Sequence, residues 1–202
     1  MAQSLYHKKD GTQTAVETEG ARFLQLIRNS EIGELTRIAT ETKDSWQLDQ
    51  LSMCKYPSVR SSAVMNECIP LDVLKKRIEF GDISVSFSGL KNPIIFQGEN
   101  VKFFQPTIES VLAQKDSLLL QALLKNSAAT SDWLDRIFQE EVGEYSFGRR
   151  DRDVIQLILL HPNTPPLIKV KYASSEGTSF EDEMFRNAAK RSLRNQGPEF
   201  KI

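Results

Sequence analysis

The chain has 202 residues, of which 40% are apolar and 26% charged, the balance of an ordinary globular protein. Its 26 basic and 27 acidic side chains nearly cancel, whereas a general nucleic-acid binder carries a basic excess. No apolar run approaches the ~18–20 residues that cross a membrane, and the first residues lack the apolar core of a signal peptide. We therefore expect a cytoplasmic protein with no membrane span.

The two ends of the chain are poor in apolar residues. Residues 1–19 are rich in Thr, Gln, Lys and Glu and bury too little apolar surface to order themselves, which predicts a flexible polar tail. Residues 195–202 contain Gly197 and Pro198 and predict a frayed C-terminus. The stretch between them, residues 20–194, is predicted to form a single domain.

A residue preceded by aliphatic side chains recurs along this domain, and we call each such residue an anchor. The anchors are Asn29, Asn66, Asn92, Asn126, His161 and Arg191. Apolar residues mostly stand two, three and seven positions before an anchor, as Leu124, Leu123 and Leu119 do before Asn126. This spacing places them on one face of a helix, so each anchor is predicted to end a short first helix.

A turn and a second helix are predicted to follow each anchor. An Asn side chain suits the turn because its amide can bond nearby backbone groups. Pro70 and Pro165 stand where a first helical residue belongs, and Thr164 is a suitable N-cap before Pro165. The predicted apolar stripes of the second helices are Leu35 with Ile38; Val73 with Leu74 and Ile78; Trp133 with Leu134, Ile137 and Phe138; and Leu167 with Val170 and Tyr172.

Residues 83–88 allow two interpretations. They alternate apolar and small polar side chains, which is typical of a strand, and residues 94–96 and 101–104 could complete a β-hairpin. We favour a first helix instead, because Val85 and Leu90 stand seven and two positions before an anchor.

The helical interpretation leaves residues 94–105 as an irregular loop. The second helix of this copy then begins late, near Pro106 and Thr107. Loops of this length in compact folds are often functional, so residues 94–105 are themselves a candidate recognition element.

The asparagine–proline turn carries a family resemblance. Residues 56–93, with Asn66, Pro70 and the pair Asn92-Pro93, resemble the leucine-rich repeat variant family, a branch of the HEAT-like α-solenoids. The sequence His-Pro-Asn-Thr-Pro-Pro at residues 161–166 resembles the same turn. The resemblance extends over residues 21–194.

This resemblance implies an all-α fold, a short α-solenoid of about six irregular two-helix repeats. One two-helix unit cannot bury its apolar stripe alone, whereas stacked neighbours form a continuous core. Members of such families mostly act as protein-binding scaffolds, and a few HEAT-like relatives bind or repair DNA.

Few groups in the sequence could converge on a reaction. The histidines His7 and His161 and the cysteines Cys54 and Cys68 are too few and too widely spaced for a zinc site or a disulfide framework. There is no Gly-rich phosphate loop, no G-x-S-x-G and no His-Glu-x-x-His. Some variant-repeat proteins carry an iron–sulfur segment before the repeats, but residues 1–53 contain no cysteine. We therefore expect neither enzymatic activity nor a cofactor or metal.

Trp133 stands beside Asp132 and Asp135, an aromatic–carboxylate pairing that a HEAT-like DNA glycosylase would use in a basic cleft. Its place in a predicted apolar stripe favours core packing instead. The acidic residues Glu140 and Glu141 follow closely and would repel a phosphate backbone.

The leading hypothesis is a non-enzymatic scaffold that binds a protein partner, an acidic one by charge, along one face of the array. Exposed first-helix side chains would make the contacts, among them Arg60, Gln121, Gln156 and Arg186. The basic candidates are Arg60, Arg149, Arg150, Arg152, Lys169, Lys171, Arg186 and Lys190. The alternative is a nucleic-acid-binding or DNA-repair-type protein that uses this C-terminal basic patch.

Overall fold

A computed structural model of the chain describes residues 11–142 and 152–196, and the side chains within 19–140 and 152–196. The described residues form twelve α-helices and one 3₁₀ helix, and they contain no strand. The predicted all-α fold is therefore confirmed for these ranges. None of the described helices is long and apolar enough to cross a membrane.

The chain divides into two compact units after Pro70, and each is described by itself. The helices of unit 1 are α1 (Gly11–Asn29), α2 (Ile32–Glu41), α3 (Ser45–Ser52) and α4 (Pro57–Met65). Those of unit 2 are α5 (Leu71–Phe80), α6 (Ile83–Leu90), the 3₁₀ helix (Pro93–Phe96), α7 (Asn100–Gln114), α8 (Ser117–Leu124), α9 (Ser131–Val142), α10 (Arg152–Leu160), α11 (Pro166–Ala173) and α12 (Phe180–Gln196). A single domain over residues 20–194 stays a prediction.

In unit 1, the helices α2, α3 and α4 pack against one another around a small apolar core. Asp44 begins α3, because one of its carboxylate oxygens accepts hydrogen bonds from the backbone amides of Trp46 (2.9 Å) and Gln47 (3.2 Å). Pro57 begins α4, where its fixed φ suits the first turn. The fully buried apolar side chains are Leu35, Ala39, Leu48, Leu51, Val59, Ala63 and Val64.

Helix α1 packs against α3 but buries none of its described side chains. Its aromatic contact is between Phe23 and Trp46, whose ring centroids lie 5.7 Å apart. The helix begins at Gly11, so residues 11–19 of the predicted tail are helical, and residues 1–10 lie outside the described residues.

In unit 2, the helices α6, α8, α10 and α12 pack one against the next and form a row. Helices α5, α9 and α11 pack against α6, α10 and α12 respectively, and α7 packs against α5 and α8. Asp82 and Asp116 cap α6 and α8 as Asp44 caps α3. The helices of this unit therefore pack against near neighbours along the chain, which is consistent with a solenoid-like arrangement.

The predicted helix faces are confirmed for the middle of the chain. All residues two, three and seven positions before four of the anchors are buried. These four anchors are Asn66, Asn92, Asn126 and His161.

The anchor predicted at Arg191 is wrong, because Arg191 lies inside α12 and does not end it. The buried residues Ala188, Ser192 and Leu193 stand seven, three and two positions before Asn195. The buried pattern that precedes the other anchors thus recurs one helical turn later, before Asn195, which also lies inside α12. The remainder of the C-terminus predicted to fray, beyond Gln196, lies outside the described residues.

The segment after α6 differs from the prediction. Residues 83–88 are helical, so the favoured interpretation is confirmed, but residues 94–105 are not an irregular loop. Gly98, at a φ of +51°, turns the chain, and α7 begins at Asn100 and continues through Pro106. Pro106 is an interior residue because the helix buries Phe104 and Ile108 on either side of it.

The apolar stripe predicted for α11 is also wrong. Leu167 is 83% exposed, and the buried side chains are Ile168, Lys169 and Ala173. Burial of a lysine in place of a leucine cannot be read from an apolar pattern, because the pattern gives weight only to apolar residues.

The start of α11 differs by one residue from the prediction. Pro165 occupies the N-cap position and Pro166 is the first helical residue. Thr164 is not the N-cap: it is buried, and its hydroxyl donates a hydrogen bond to the carbonyl oxygen of Ile158.

Candidate binding surface

Three anchor side chains, those of Asn66, Asn126 and His161, bond a turn that lies earlier in the chain. Asn126 is fully buried, and its Nδ2 donates hydrogen bonds to the carbonyl oxygens of Leu90 (3.0 Å) and Asn92 (2.9 Å). Its Oδ1 accepts one from the backbone amide of Ala128 (3.1 Å). We call the links from an anchor side chain to the preceding anchor turn anchor bonds. They satisfy carbonyl groups that a helix end leaves without partners.

Asn66 forms equivalent anchor bonds inside unit 1. Its Nδ2 lies within hydrogen-bond distance of the carbonyl oxygens of Ala39 (3.0 Å), Thr40 (3.1 Å) and Thr42 (2.9 Å) at the end of α2. The residues seven and three positions before Thr42 are fully buried. Thr42, at the end of α2, therefore occupies an anchor position. Asn29 ends α1 as predicted, but the residues seven, three and two positions before it are not buried.

His161 forms an anchor bond with an imidazole in place of an amide. Its Nε2 lies 3.0 Å from the carbonyl oxygen of Asn126, and its Nδ1 accepts from the backbone amide of Asn163 (3.1 Å). A carbonyl can only accept, so Nε2 carries the hydrogen and the ring is neutral. Gln196 provides the last link, from its Nε2 to the carbonyl oxygen of Pro162 (2.6 Å).

The anchor bonds bring together the C-terminal ends of α6, α8 and α10, and the three helices leave corresponding positions at least partly accessible. The residues five positions and one position before each anchor are half-buried or exposed. They are Phe87 and Lys91 for α6, Gln121 and Lys125 for α8, and Gln156 and Leu160 for α10. We call these six residues the first-helix face.

Two lysines flank the aromatic ring of the first-helix face. The Nζ atoms of Lys91 and Lys125 lie 5.4 and 5.5 Å from the centroid of the Phe87 ring, within cation–π distance. The face therefore presents positive charge around an apolar centre at this end of the row.

A groove of about 380 Å³ continues the first-helix face between α10 and α12. Gln156 and Leu160 line one wall, and Met184, Asn187 and Arg191 line the other. Leu160 is 38% exposed, which leaves apolar surface open to a partner. The groove has the size of a small ligand pocket, so it can receive a few side chains.

Lys169 does not lie on the surface, although the sequence places it among the basic candidates. It is 0% exposed, and its Nζ donates to the carbonyl oxygens of His161 (2.8 Å) and Pro162 (3.4 Å). Burial lowers the pKa of Lys169 to about 8. Its hydrogen bonds support the turn after α10, and its side chain cannot contact a partner.

Two further basic candidates already have partners within the protein. Arg152 forms an ion pair with Glu181. Arg186 donates from Nη2 to the carbonyl oxygen of Gly177, and its buried Nε has no hydrogen-bond partner among the described residues. Arg186 and Lys190 line a cleft together with two acidic side chains, Glu176 and Glu183, which balance their charge.

The remaining candidates are scattered. Arg60 donates to the carbonyl oxygens of Cys54 (2.8 Å) and Lys55 (3.1 Å), where it supports the turn after α3. Lys171 is exposed on α11. Arg149 and Arg150 lie outside the described residues. The described part of the chain does not gather these cations into one patch.

Trp133 packs as the apolar stripe predicts but remains half-buried. The Arg136 guanidinium lies 5.2 Å from its ring centroid, and Arg136 also bonds Glu140 (3.1 Å). The ring is therefore covered by a cation that belongs to its own helix. Among the described residues, no group of three or more His, Cys, Asp or Glu side chains could hold a metal ion.

Sequence reasoning found Gln121 and Gln156 on the first-helix face but missed its other members. Phe87, Lys91, Lys125 and Leu160 stand at the same two offsets from their anchors, so the spacing itself was the signal that could have found them. The basic patch, by contrast, was inferred from closeness along the chain, which does not ensure closeness in space.

No family model, curated protein or solved structure matches the chain. The resemblance to the leucine-rich repeat variant family therefore stays a prediction, carried by the turn residues alone.

Proposed function

We propose that this protein is a non-enzymatic scaffold that binds a protein partner on the first-helix face of unit 2. The observation that carries the proposal is the repetition of the same exposed positions on α6, α8 and α10, which the anchor bonds hold in alignment. A repeated, aligned surface suits a long contact with another chain.

The composition of the face favours an acidic partner. Phe87 supplies an aromatic contact of the kind that concentrates binding energy in protein interfaces. Lys91 and Lys125 beside it would attract carboxylates and steer the approach of an acidic segment. Gln121 and Gln156 can bond a partner's backbone or side chains without adding charge.

Site-specific crosslinking tests the proposal. A photoreactive residue is placed at Gln121 or Gln156, and in matched controls at Gln105 or Gln139, which are exposed on the second helices α7 and α9. Proteins captured in the native host are identified by mass spectrometry. We expect one partner to be captured at the first-helix positions and not at the controls.

The affinity of the purified partner then gives the energetic test. Replacing Phe87 with Ala should weaken binding by about tenfold or more, since truncation of an interface aromatic typically removes over 1 kcal/mol. The paired variant Gln105→Ala should bind within about twofold of the wild type. Equal capture from both sides of the row, or an unchanged affinity of Phe87→Ala, contradicts the proposal.

A further inference from the structure

One anchor differs chemically from the other anchors that form described bonds. Asn66 and Asn126 use an amide, which does not titrate, whereas His161 uses an imidazole, whose ordinary pKa of about 6.5 lies near neutrality. The same link is thus made in one repeat by a group that can take up a proton.

The two hydrogen bonds of His161 require the neutral ring. Nδ1 must be an acceptor for the amide of Asn163, and Nε2 must be the donor to the carbonyl of Asn126. Protonation places a hydrogen on Nδ1, directly opposite the Asn163 N–H. The bond to Asn163 is then replaced by a repulsive contact, while the bond to Asn126 persists.

The charged groups around this turn do not compensate for an imidazolium. Helix α11 contributes the buried Lys169, whose ammonium bonds the carbonyl of His161 at 2.8 Å. The end of α8 contributes Lys125, and the last turns of α12 contribute Arg191 and Arg194, all exposed. Helix α9 carries three described carboxylates, of which Asp132 and Glu140 are exposed and Asp135 is half-buried. A buried imidazolium would thus share its turn with the ammonium of Lys169.

We propose that His161 is a pH-sensitive switch: it closes the turn between α10 and α11 when neutral, and opens this turn when it takes up a proton. The turn is held at three other points, by Lys169, by Gln196 and by the Nδ2 of Asn163, which donates to the carbonyl of Ala129 (2.9 Å). Protonation therefore loosens the turn locally and leaves the helices folded.

The direction of the pKa shift agrees with this geometry. Burial lowers the pKa of His161, the hydrogen bond to Asn126 raises it, and the charge of Lys169 lowers it, so the outcome lies below the ordinary value. Because the pKa of His161 is lower in the folded than in the unfolded chain, the neutral ring contributes to the free energy of unfolding. This contribution is fully present above about pH 6.5. It is lost as the pH falls from there through the folded-state pKa.

The variant His161→Asn provides a matched test, because Asn is the residue that forms the anchor bonds of Asn66 and Asn126 and it does not titrate. We compare the unfolding of both full-length proteins in urea between pH 7.5 and 5.0. The wild type should lose stability more steeply below pH 6.5, with its unfolding constant rising up to about tenfold for each unit of pKa difference. Parallel stability curves overturn the proposal.

Hydrogen exchange of the Asn163 amide gives a local readout. After correction for the intrinsic effect of pH, exchange should accelerate on acidification in the wild type and stay constant in His161→Asn. If the variant does not fold, the wild type alone decides. Nitrogen NMR must then show the Nε2–H tautomer at pH 7 and faster Asn163 exchange as the ring titrates. The proposal is overturned if His161 is in the other tautomer, or if the Asn163 exchange rate does not change as the ring titrates.

Discussion

At the scale of single residues, side-chain amides join neighbouring turns. Asn126 forms three hydrogen bonds while fully buried, so its amide meets most of its bonding capacity within the protein. A turn residue of this kind contributes more than a local cap, since two of its three bonds reach residues 34 and 36 positions away.

Replacing Asn126 with Leu should destabilise the protein by about 2–4 kcal/mol, because two carbonyls and one amide lose their partners inside the core. Replacing the exposed Asn163 with Ala should cost about 1 kcal/mol or less, because water can reach the groups that it bonds. Urea unfolding measures both. Equal losses for the two variants would show that burial does not set the energy of an anchor bond.

Lys169 makes stability depend on alkaline pH. Its pKa of about 8 lies below the ordinary value of 10.5, so the folded protein releases this proton before the unfolded chain does. Stability should therefore rise from about pH 8 to 10.5, by at most about 3 kcal/mol. Unfolding of the wild type and of Lys169→Met across this range checks the prediction. The difference between the two curves should change with pH, and a constant difference counts against it.

At the scale of elements, the close packing of α6 against α5 depends on a glycine. A Cβ on Gly89 in α6 would lie 2.7 Å from Cγ1 of Ile78 in α5, a distance at which one helix must move. Gly33 in α2 has nothing within 4 Å of its position. The two glycines look alike in the sequence but differ in what surrounds them.

The variant Gly89→Ala should destabilise the protein by about 1–3 kcal/mol, the usual effect of forcing volume into a packed interface. Gly33→Ala should instead be neutral or stabilise by up to about 1 kcal/mol, because Ala favours the helix and meets no neighbour. Thermal or urea melts of both variants give the comparison. If the Gly89→Ala variant were more stable than the wild type, the interface between α5 and α6 would have room for a methyl group.

At the scale of the whole molecule, the distribution of basic side chains distinguishes the protein-binding hypothesis from the nucleic-acid-binding one. Lys169 is buried, Arg152 is paired with Glu181, and Arg186 and Lys190 share their cleft with two acidic residues. The half-buried Lys91 and the exposed Lys125 stand together, but they flank one aromatic ring and are not spread along a path for a phosphate backbone.

We therefore expect no strong binding to duplex DNA or single-stranded RNA, even at low salt. Fluorescence anisotropy with labelled oligonucleotides between about 50 and 200 mM salt measures this directly. Tight binding with a log–log salt slope of several units would restore the nucleic-acid alternative, because that slope reports the number of phosphates contacted.

The sequence by itself determined the helical faces in the middle of the chain. Before Asn66, Asn92, Asn126 and His161, the residues at fixed offsets are buried. A helix returns to the same face every 3.6 residues, and the apolar side chains recur along the sequence with that period. The first-helix face stands at two other fixed offsets, five positions and one position before an anchor. The sequence therefore sufficed to predict the buried face of a helix wherever the helix was apolar on one side and ended at a polar turn.

Only the tertiary structure decided where the terminal anchors lie, that α7 continues through Pro106, and that Lys169 is buried while Leu167 is exposed. Thr42 holds an anchor position because Asn66 bonds its carbonyl oxygen and Leu35 and Ala39 before it are buried. A lysine can replace an apolar side chain when backbone carbonyls from an adjoining turn accept its hydrogens. Such partners are distant in the chain, so no pattern along it records them.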